Sequence, residues 1–420
     1  VSSARDFYDI YENGEEQRVI DNVVYQRYTA GDSWKIKSEP EYKGPYYVVG
    51  KFCNSQEEDA KKTEINIVDE IDGIPVKKIK GWPYEYDGYN APTIKKVTLS
   101  NNIVEVGEYA FSELSNLEKI KLSDNLKYIG QYAFQGLTHL EGITIPAGVR
   151  EIGTYAFAEC PALKKVVIKS DDVKIGRGAF LRCKNLEKFV QSKNLKSLSL
   201  AYSAFEGCSK LKSFKFPDDL YISGHAFYGS GLTSVSLPAG VRMSGSTGCF
   251  AFCKNLKKVV FRNGKAKLEI PKGAFKGCTA LKTVVLPRSA KFVDICEHVF
   301  YDCKSLKTVE NSGKIIEIGA GAFKNCKSLE SIKFSSLIRV ISKKTFQGCS
   351  KLKSVTFKNT KNIPGDNYSP RIKKSTEKFA KATFSGTPSN MKFFVKNATV
   401  AKKLKTALKG SGVKNARIYS

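Results

Sequence analysis

One phrase recurs along this chain and limits what it can fold into: Ala-Phe, two residues, Cys or a substitute, two residues, Leu. Eleven copies centre on Phe111, Phe134, Phe157, Phe180, Phe205, Phe227, Phe250, Phe275, Phe300, Phe323 and Phe346, at intervals of 22 to 25 residues. Phe384, in ATFSGTP, reads as a degraded twelfth. Five residues before nearly every phenylalanine stands an aliphatic residue, from Val106 and Ile129 to Ile341, and only Gly245 breaks the column. After each Leu comes a variant of Val-x-Leu, such as Val166-Val167-Ile168, whose period of two marks a short strand with one side chain turned outward. Gln191 and Asn311 are polar in the last inward column, so those two repeats are expected to be irregular.

A unit of this size with one short strand cannot bury its apolar face alone, whereas stacked copies pair their strands in a parallel sheet. The expected fold is therefore an α/β solenoid, mostly strand and turn, of about twelve repeats of 22–25 residues. The phenylalanine rings stack on their counterparts, and the small Ala beside each lets neighbouring coils approach.

These residues resemble a known family. The phrase Ile-Gly-x-x-Ala-Phe-x-x-Cys-x-x-Leu-Lys-x-Val-x-Leu-Pro, closely matched from Ile152-Gly153 to Ile168, is similar to the BspA-like bacterial leucine-rich repeat. Ile71 to Ile79 looks like the family's entry into its first repeat, with Trp82-Pro83-Tyr84 departing from the usual Ala-Phe there. The resemblance covers residues 65 to 357. It implies a right-handed leucine-rich-repeat coil, and a secreted or cell-surface bacterial protein of the adhesion or ligand-binding type. It names no ligand.

A solenoid exposes its core at both ends unless something covers it. Residues 1–64 are expected to form a β-rich N-terminal cap, with strands at Val23–Tyr28, Trp34-Lys35-Ile36 and Tyr46–Val49 and a loop from Cys53. The repeats occupy 65–390, interrupted by an insertion at about 358–381 that is expected to protrude as a loop. Residues 391–420 read as a βαβ cap: a strand from Lys392, a helix over 398–409 capped by Asn397 and ended by Gly410, and a strand from Ala416.

Little in the chain points to catalysis. Eight of the eleven cysteines (Cys160, Cys183, Cys208, Cys253, Cys278, Cys303, Cys326 and Cys349) share one repeat position, where Leu114 and Leu137 also stand. That placement is explained by packing, and the thiols are expected to be buried, inert and reduced. Cys53, Cys249 and Cys296 lie off the column, and no pair has the C-x-x-C spacing of a zinc site. The three histidines, His139, His225 and His298, are expected at unrelated places on the coil. No phosphate loop or metalloprotease helix is present, so neither an enzyme, a metal nor a cofactor is expected.

The 420 residues carry 69 basic and 41 acidic side chains, a net of +28. The net is −4 over residues 1–100, +19 over 101–357 and +13 over 358–420, where 15 basic face 2 acidic side chains. Outward strand positions carry Lys119, Lys121, Lys165, Lys188, Lys215, Lys258 and Lys333, the candidate ligand-binding face. A second column, including Lys164, Lys257 and Lys307, stands just before the strands. Such rows suit an anionic partner, a host or cell-surface protein or an anionic glycan. Any single lysine also suits a face kept soluble by charge, while the column as a whole points to a partner. Nucleic acid is disfavoured, because Lys predominates over Arg and no aromatic row interleaves the lysines. Tyrosines concentrate in the N-terminal cap and first loop, and Tyr42, Tyr46, Tyr47, Tyr84, Tyr86 and Tyr89 there offer an alternative contact patch, with packing their readier use.

No apolar run approaches the roughly eighteen residues of a membrane helix. The start, Val-Ser-Ser-Ala-Arg, has no leader pattern, and with the family resemblance the expectation is an extracellular or cell-surface monomer whose signal has been removed. The leading expectation is non-catalytic adhesion or macromolecular binding through the sheet face. The alternative is a structural envelope component held on anionic cell-wall polymer by the basic C-terminal third.

Overall fold

A computed structural model describes residues 10–12, 15–21, 23–28, 42–52, 63–80, 93–245, 248–360, 363–365, 368–369, 374–375, 378–380 and 382–420. The expected strand at Trp34-Lys35-Ile36, Cys53 and the loop through residue 62, the irregular copy at Trp82-Pro83-Tyr84, and Tyr86 and Tyr89 lie outside the described residues. The chain forms two compact units, Val1–Leu211 and Lys212–Ser420, each a stack of coils.

In the first unit the strands Ile10–Glu12, Glu15–Ile20, Val23–Tyr28 and Tyr46–Phe52 pair antiparallel in sequence order. Tyr46–Phe52 then pairs parallel with Ile74–Ile79, and from there one ladder runs coil by coil through Glu105–Val106, Tyr128–Ile129, Glu151–Ile152, Asp172–Ile175 and Ser197–Leu200. A second set of parallel strands comprises Glu64–Asn66, Lys96–Thr98 and Lys119–Lys121, then Gly142–Ile145, Lys165–Ile168 and Lys188–Val190. Most coils thus carry two strands, where the repeat phrase suggests one. The extra strand is the aliphatic column before the phenylalanine. At two residues, as in Glu151–Ile152, it is too short to display an alternation, yet the 23-residue interval sets Ile129 against Ile152 in register.

The second unit repeats the plan. Leu268–Ile270, Val293–Ile295, Ile315–Ile318 and Val340–Ile341 form one ladder. Ser234–Leu237, Lys258–Phe261, Thr283–Val285 and Thr308–Glu310 form a second, and Ser331–Phe334, Ser354–Phe357, Lys392–Phe394 and Arg417–Tyr419 a third. Asn311 ends its strand in the left-handed region at φ 61° and leads into a single 3-10 turn, Ser312–Lys314. There Val293 pairs with Ile315 but Asp294 with Glu317, a shift of register. At Gln191 the strand stops at Val190, one residue short of its neighbour. In the insertion, Ile363–Gly365 is buried, and the Ile341 amide donates to the Gly365 carbonyl at 3.0 Å, so this stretch extends a ladder instead of standing clear of it. Tyr368–Ser369 pairs with Lys374–Ser375, and most of the remaining insertion lies outside the described residues. At the chain's end Asn397 accepts from the Val400 amide at 3.0 Å and caps the helix Ala398–Ala407, which buries Val400 and Leu404.

The phenylalanine column holds each unit together. Rings stack from Phe111 through Phe205 at 4.8–5.2 Å, and from Phe227 through Phe346 to Phe384 at 5.2–5.7 Å. Phe384, fully buried, is thus a true member of the column. Each buried ring contributes about 1.5–3 kcal/mol by transfer from water. The turn bearing the ring forms its own ladder of hydrogen bonds. Tyr155 and Phe157 donate to Arg177 and Ala179 of the next coil, both at 2.7 Å, and Glu159 to Leu181 at 2.8 Å. Tyr155 and Glu159 achieve this at φ 53° and 55°, and their equivalents in most coils share the left-handed conformation. Gly153 is required by the close approach of the coils, since a Cβ there would stand 2.5 Å from the Gly130 carbonyl carbon.

The cysteine column packs and also bonds. Each of its eight thiols lies 3.0–3.2 Å from the phenylalanine carbonyl one coil earlier, as Cys183 does with Phe157 and Cys278 with Phe250, and can donate its proton there. All eight are free and buried. Burial pushes the thiols of Cys183, Cys208, Cys278, Cys303 and Cys326 well up, and that of Cys349 up to about 12. A protonated, enclosed thiol is a poor nucleophile and metal ligand.

Candidate ligand-binding face

Strand alternation turns one residue in two outward, and register stacks those residues into columns. In the first unit Lys96 pairs with Lys119, and Gly142 with Lys165 and then Lys188. The next outward column sets Thr98 against Lys121, and Thr144 against Val167 and Val190. In the second unit the first column reads Ser234, Lys258, Thr283, Thr308, and in the last sheet Ser331, Ser354, Lys392, Arg417. Lys119, Lys121, Lys165, Lys188, Lys258 and Lys333 all stand exposed on strands, as the sequence indicates. Lys215 is exposed but not on a strand, which corrects its assignment to a sheet position. Its coil spans the shortest repeat interval, from Phe205 to Phe227, and carries Phe214 and Phe216 at both inward places. Their rings crowd Phe227 at 5.0 and 5.7 Å, and residues 212–216 form no strand.

The two lysine columns differ electrically. In the pre-strand column Lys164 meets Glu141 at 2.7 Å and Lys307 meets Glu330 at 3.5 Å. The hydrogen bond from Lys164 holds the Glu141 carboxyl below its ordinary range and raises the lysine in return. On the sheet face Lys96 has Glu64 at 3.1 Å. No acidic side chain pairs with Lys119, Lys121, Lys165 or Lys188 among the described residues. Lys165 and Lys188 nevertheless face each other across adjacent strands, an arrangement that is unfavourable without a counter-charge.

The sheet opens where its ladder is interrupted. Lys119–Lys121 and Gly142–Ile145 do not pair, and over them lies a groove of about 540 Å3. Lys119 and Lys121 lie on one side, Gly142, Thr144 and Pro146 in the middle, and Lys165, Val167 and Lys169 on the other side, with Asp124 also in the lining. A second groove, of about 510 Å3, lies where Thr308–Glu310 and Ser331–Phe334 do not pair. Its lining includes Thr308, Glu310, Ser331, Thr356, Lys333 and Lys358, hydroxyls mixed with both charges.

Some surface features escape a reading of side-chain patterns. Tyr109, Tyr132 and Tyr155 stack at 4.7 and 5.3 Å, half-exposed, two residues before their phenylalanines. The repeat position was the available signal, since all three follow the same spacing. His225 and His298 occupy that position too, both at φ 56°, so their places on the coil are related after all. Gly248 and Gly273 stand at the equivalent position of the coils between them, and the two histidines build no joint site. His139 instead sits beside the Ser115 carbonyl at 3.0 Å. Tyr46 and Tyr47 are buried and serve packing. Among the described residues no group of three His, Cys, Asp or Glu side chains could hold a metal ion, and no helix is long and apolar enough to cross a membrane.

Stacked two-strand coils around a phenylalanine column, with a strand face turned outward, define a leucine-rich-repeat solenoid. The family model for the BspA type leucine rich repeat region, in six copies, matches residues 85–201, 173–293 and 268–387, and the chain belongs to that family. Among solved structures it is similar to a leucine-rich repeat protein from Bacteroides ovatus, at 23% identity over 96% of this chain and 99% of that one, with a TM-score of 0.62. A leucine rich cell surface protein from Faecalibacterium prausnitzii matches at 20% identity over 87% and 92% of the two chains, with a TM-score of 0.41. The pneumococcal vaccine antigen PcpA matches at 16% identity over 96% and 98%, with a TM-score of 0.47. No curated protein matches the sequence.

Proposed function

We propose that this protein is a non-catalytic, secreted or cell-surface binding protein that holds a macromolecular partner against the outward sheet face of its coils. Family membership supports the extracellular placement and the general role. The observation that carries the choice of face is the set of exposed lysines at 119, 121, 165 and 188, which have no acidic partner among the described residues, two of them in register. Salt must weaken such binding, because exposed charges are screened over about 10 Å at 0.1 M salt. The test is adsorption of the purified protein to extracellular-matrix proteins and acidic polysaccharides, at low and high salt, with a K165E/K188E variant alongside. Retention that responds to both is the expected result. Retention indifferent to both removes the sheet face from consideration.

A second reading, attachment to anionic cell-wall polymer, draws on one observation. The helix Ala398–Ala407 turns Lys402, Lys403 and Lys405 to solvent, within a segment of 15 basic and 2 acidic side chains. Changing Lys402, Lys405 and Lys409 to Gln leaves the strands of that region intact. Loss of cell-wall retention in that variant, but not in K165E/K188E, favours attachment.

A further inference from the structure

We infer that the groove over Gly142 and Thr144 is a subsite for a run of acidic residues in an extended polypeptide. The inference rests on the sheet-face reading above and names its ligand class. The groove is a trough with a definite direction. Its middle, Gly142 and Thr144, carries little side chain, while both flanking strands carry lysine, so the lysines border a strip one strand wide. The phenylalanines of the same three coils stack at 5.0 and 4.8 Å, so the strands of Lys119 and Lys165 stand roughly 10 Å apart or more where the ladder opens, which is room for one extended chain. Along the trough, Lys119 and Lys121 are two residues apart, about 7 Å, the repeat of same-side residues in an extended peptide. Lys165 and Lys169 mark the two ends of the opposite wall. A chain lying in the trough turns alternate side chains to opposite walls, so consecutive acidic residues meet lysines on both.

The remaining lining separates this ligand from other polyanions. Half-buried Ile120 and Val167 offer aliphatic contact for side-chain methylenes, and the lining has no aromatic ring on which a sugar or base could stack. It has no arginine to grip a phosphate or sulfate with two parallel hydrogen bonds. Asp124 is the one acid in the lining. Lys119, Lys121 and Lys165, which have no acidic partner among the described residues, gain counter-charges when the chain is bound.

The test uses the full chain and a fluorescent peptide with a short run of glutamates, read by anisotropy, beside the same peptide with glutamines and beside heparin. The glutamate peptide is expected to bind, to weaken with salt, and to lose roughly tenfold or more in affinity in T144E, about the 1.4 kcal/mol that such a fold-change represents. Lys165→Gln is expected to weaken it as well. Lys351→Gln, on an exposed turn of the other unit and off the sheet face, is expected to leave it unchanged. Thr144 is exposed, and an unchanged melting curve certifies that T144E folds. Binding of the glutamate peptide that is indifferent to T144E and Lys165→Gln overturns the subsite, as does binding of heparin alone. If the matrix ligands of the sheet-face test respond to K165E/K188E while the glutamate peptide does not bind, the subsite fails and the sheet-face reading survives. If neither responds, both fail.

Discussion

Through Leu211 the chain carries 29 basic and 30 acidic side chains, a net of −1, and from Lys212 onward 40 and 11, a net of +29. By net charge alone an anion would be drawn to the second unit. The outward columns favour the first, where Lys165 and Lys188 meet in register and neither has an acidic partner among the described residues. Serine and threonine fill five of the second unit's eight equivalent positions, and its one basic pair in register is Lys392 with Arg417. Both units use the same inward residues, so the difference owes nothing to folding. Net charge and charge placement are separate properties, and only placement distinguishes a site from a soluble surface.

That contrast assumes one inward frame in both units, and the largest effect tests it. Phe157→Ala in the first unit and Phe275→Ala in the second are each expected to cost about 3–5 kcal/mol, read by denaturant unfolding. A loss below about 1 kcal/mol in either would mean that the two frames are not equivalent. Next comes alkaline pH. At Cys253, in the second unit, hydrogen bonds from Cys278 and Ser230 outweigh burial and lower the thiol. Burial raises two column thiols in the first unit, Cys183 and Cys208, and four in the second, Cys278, Cys303, Cys326 and Cys349, which leaves the second unit with the larger net number raised. The folded state favours the neutral thiol, so this stability is intact below the unfolded value of about 8.5 and is lost as pH rises through the window above it. By pH 10 the loss is about 2 kcal/mol per raised thiol. Hydrogen exchange should therefore show the second unit opening first between pH 8 and 10, and Cys303→Ala should flatten that response; equal opening of both units would rule the thiols out as its cause. The smallest effect concerns the outward face. Lys165→Ser is expected to stabilise the first unit by up to about 0.5 kcal/mol, and Thr283→Lys, beside Lys258, to destabilise the second by a similar amount. Thermal melts at low salt measure both, and a destabilising Lys165→Ser would show that the lysine pair carries no electrostatic burden.

The inward columns were legible because burial forces the same side chain at the same repeat position. Phe384 could be placed in the stack from a phrase that had lost its Cys and Leu. The second ladder was visible only as a column of isoleucines, since two-residue strands show no alternation. The turn ladder left no side-chain signature. Its left-handed position is filled by Tyr155, Ser203, His298 and Lys344 alike, because the requirement is on the backbone. The lysines of the candidate face could be named one by one, Lys215 excepted, where two phenylalanines displaced the strand. Their pairing depends on register, and the trough depends on a missing ladder beside a glycine, which spacing alone does not reveal.

The bond between each column thiol and the phenylalanine carbonyl of the coil before it gives the protein a built-in record of its own opening. A thiol can meet a labelling reagent only after that coil has parted from its neighbour, so the order in which the eight sulfurs are modified reads out, coil by coil, the order in which the stack comes apart.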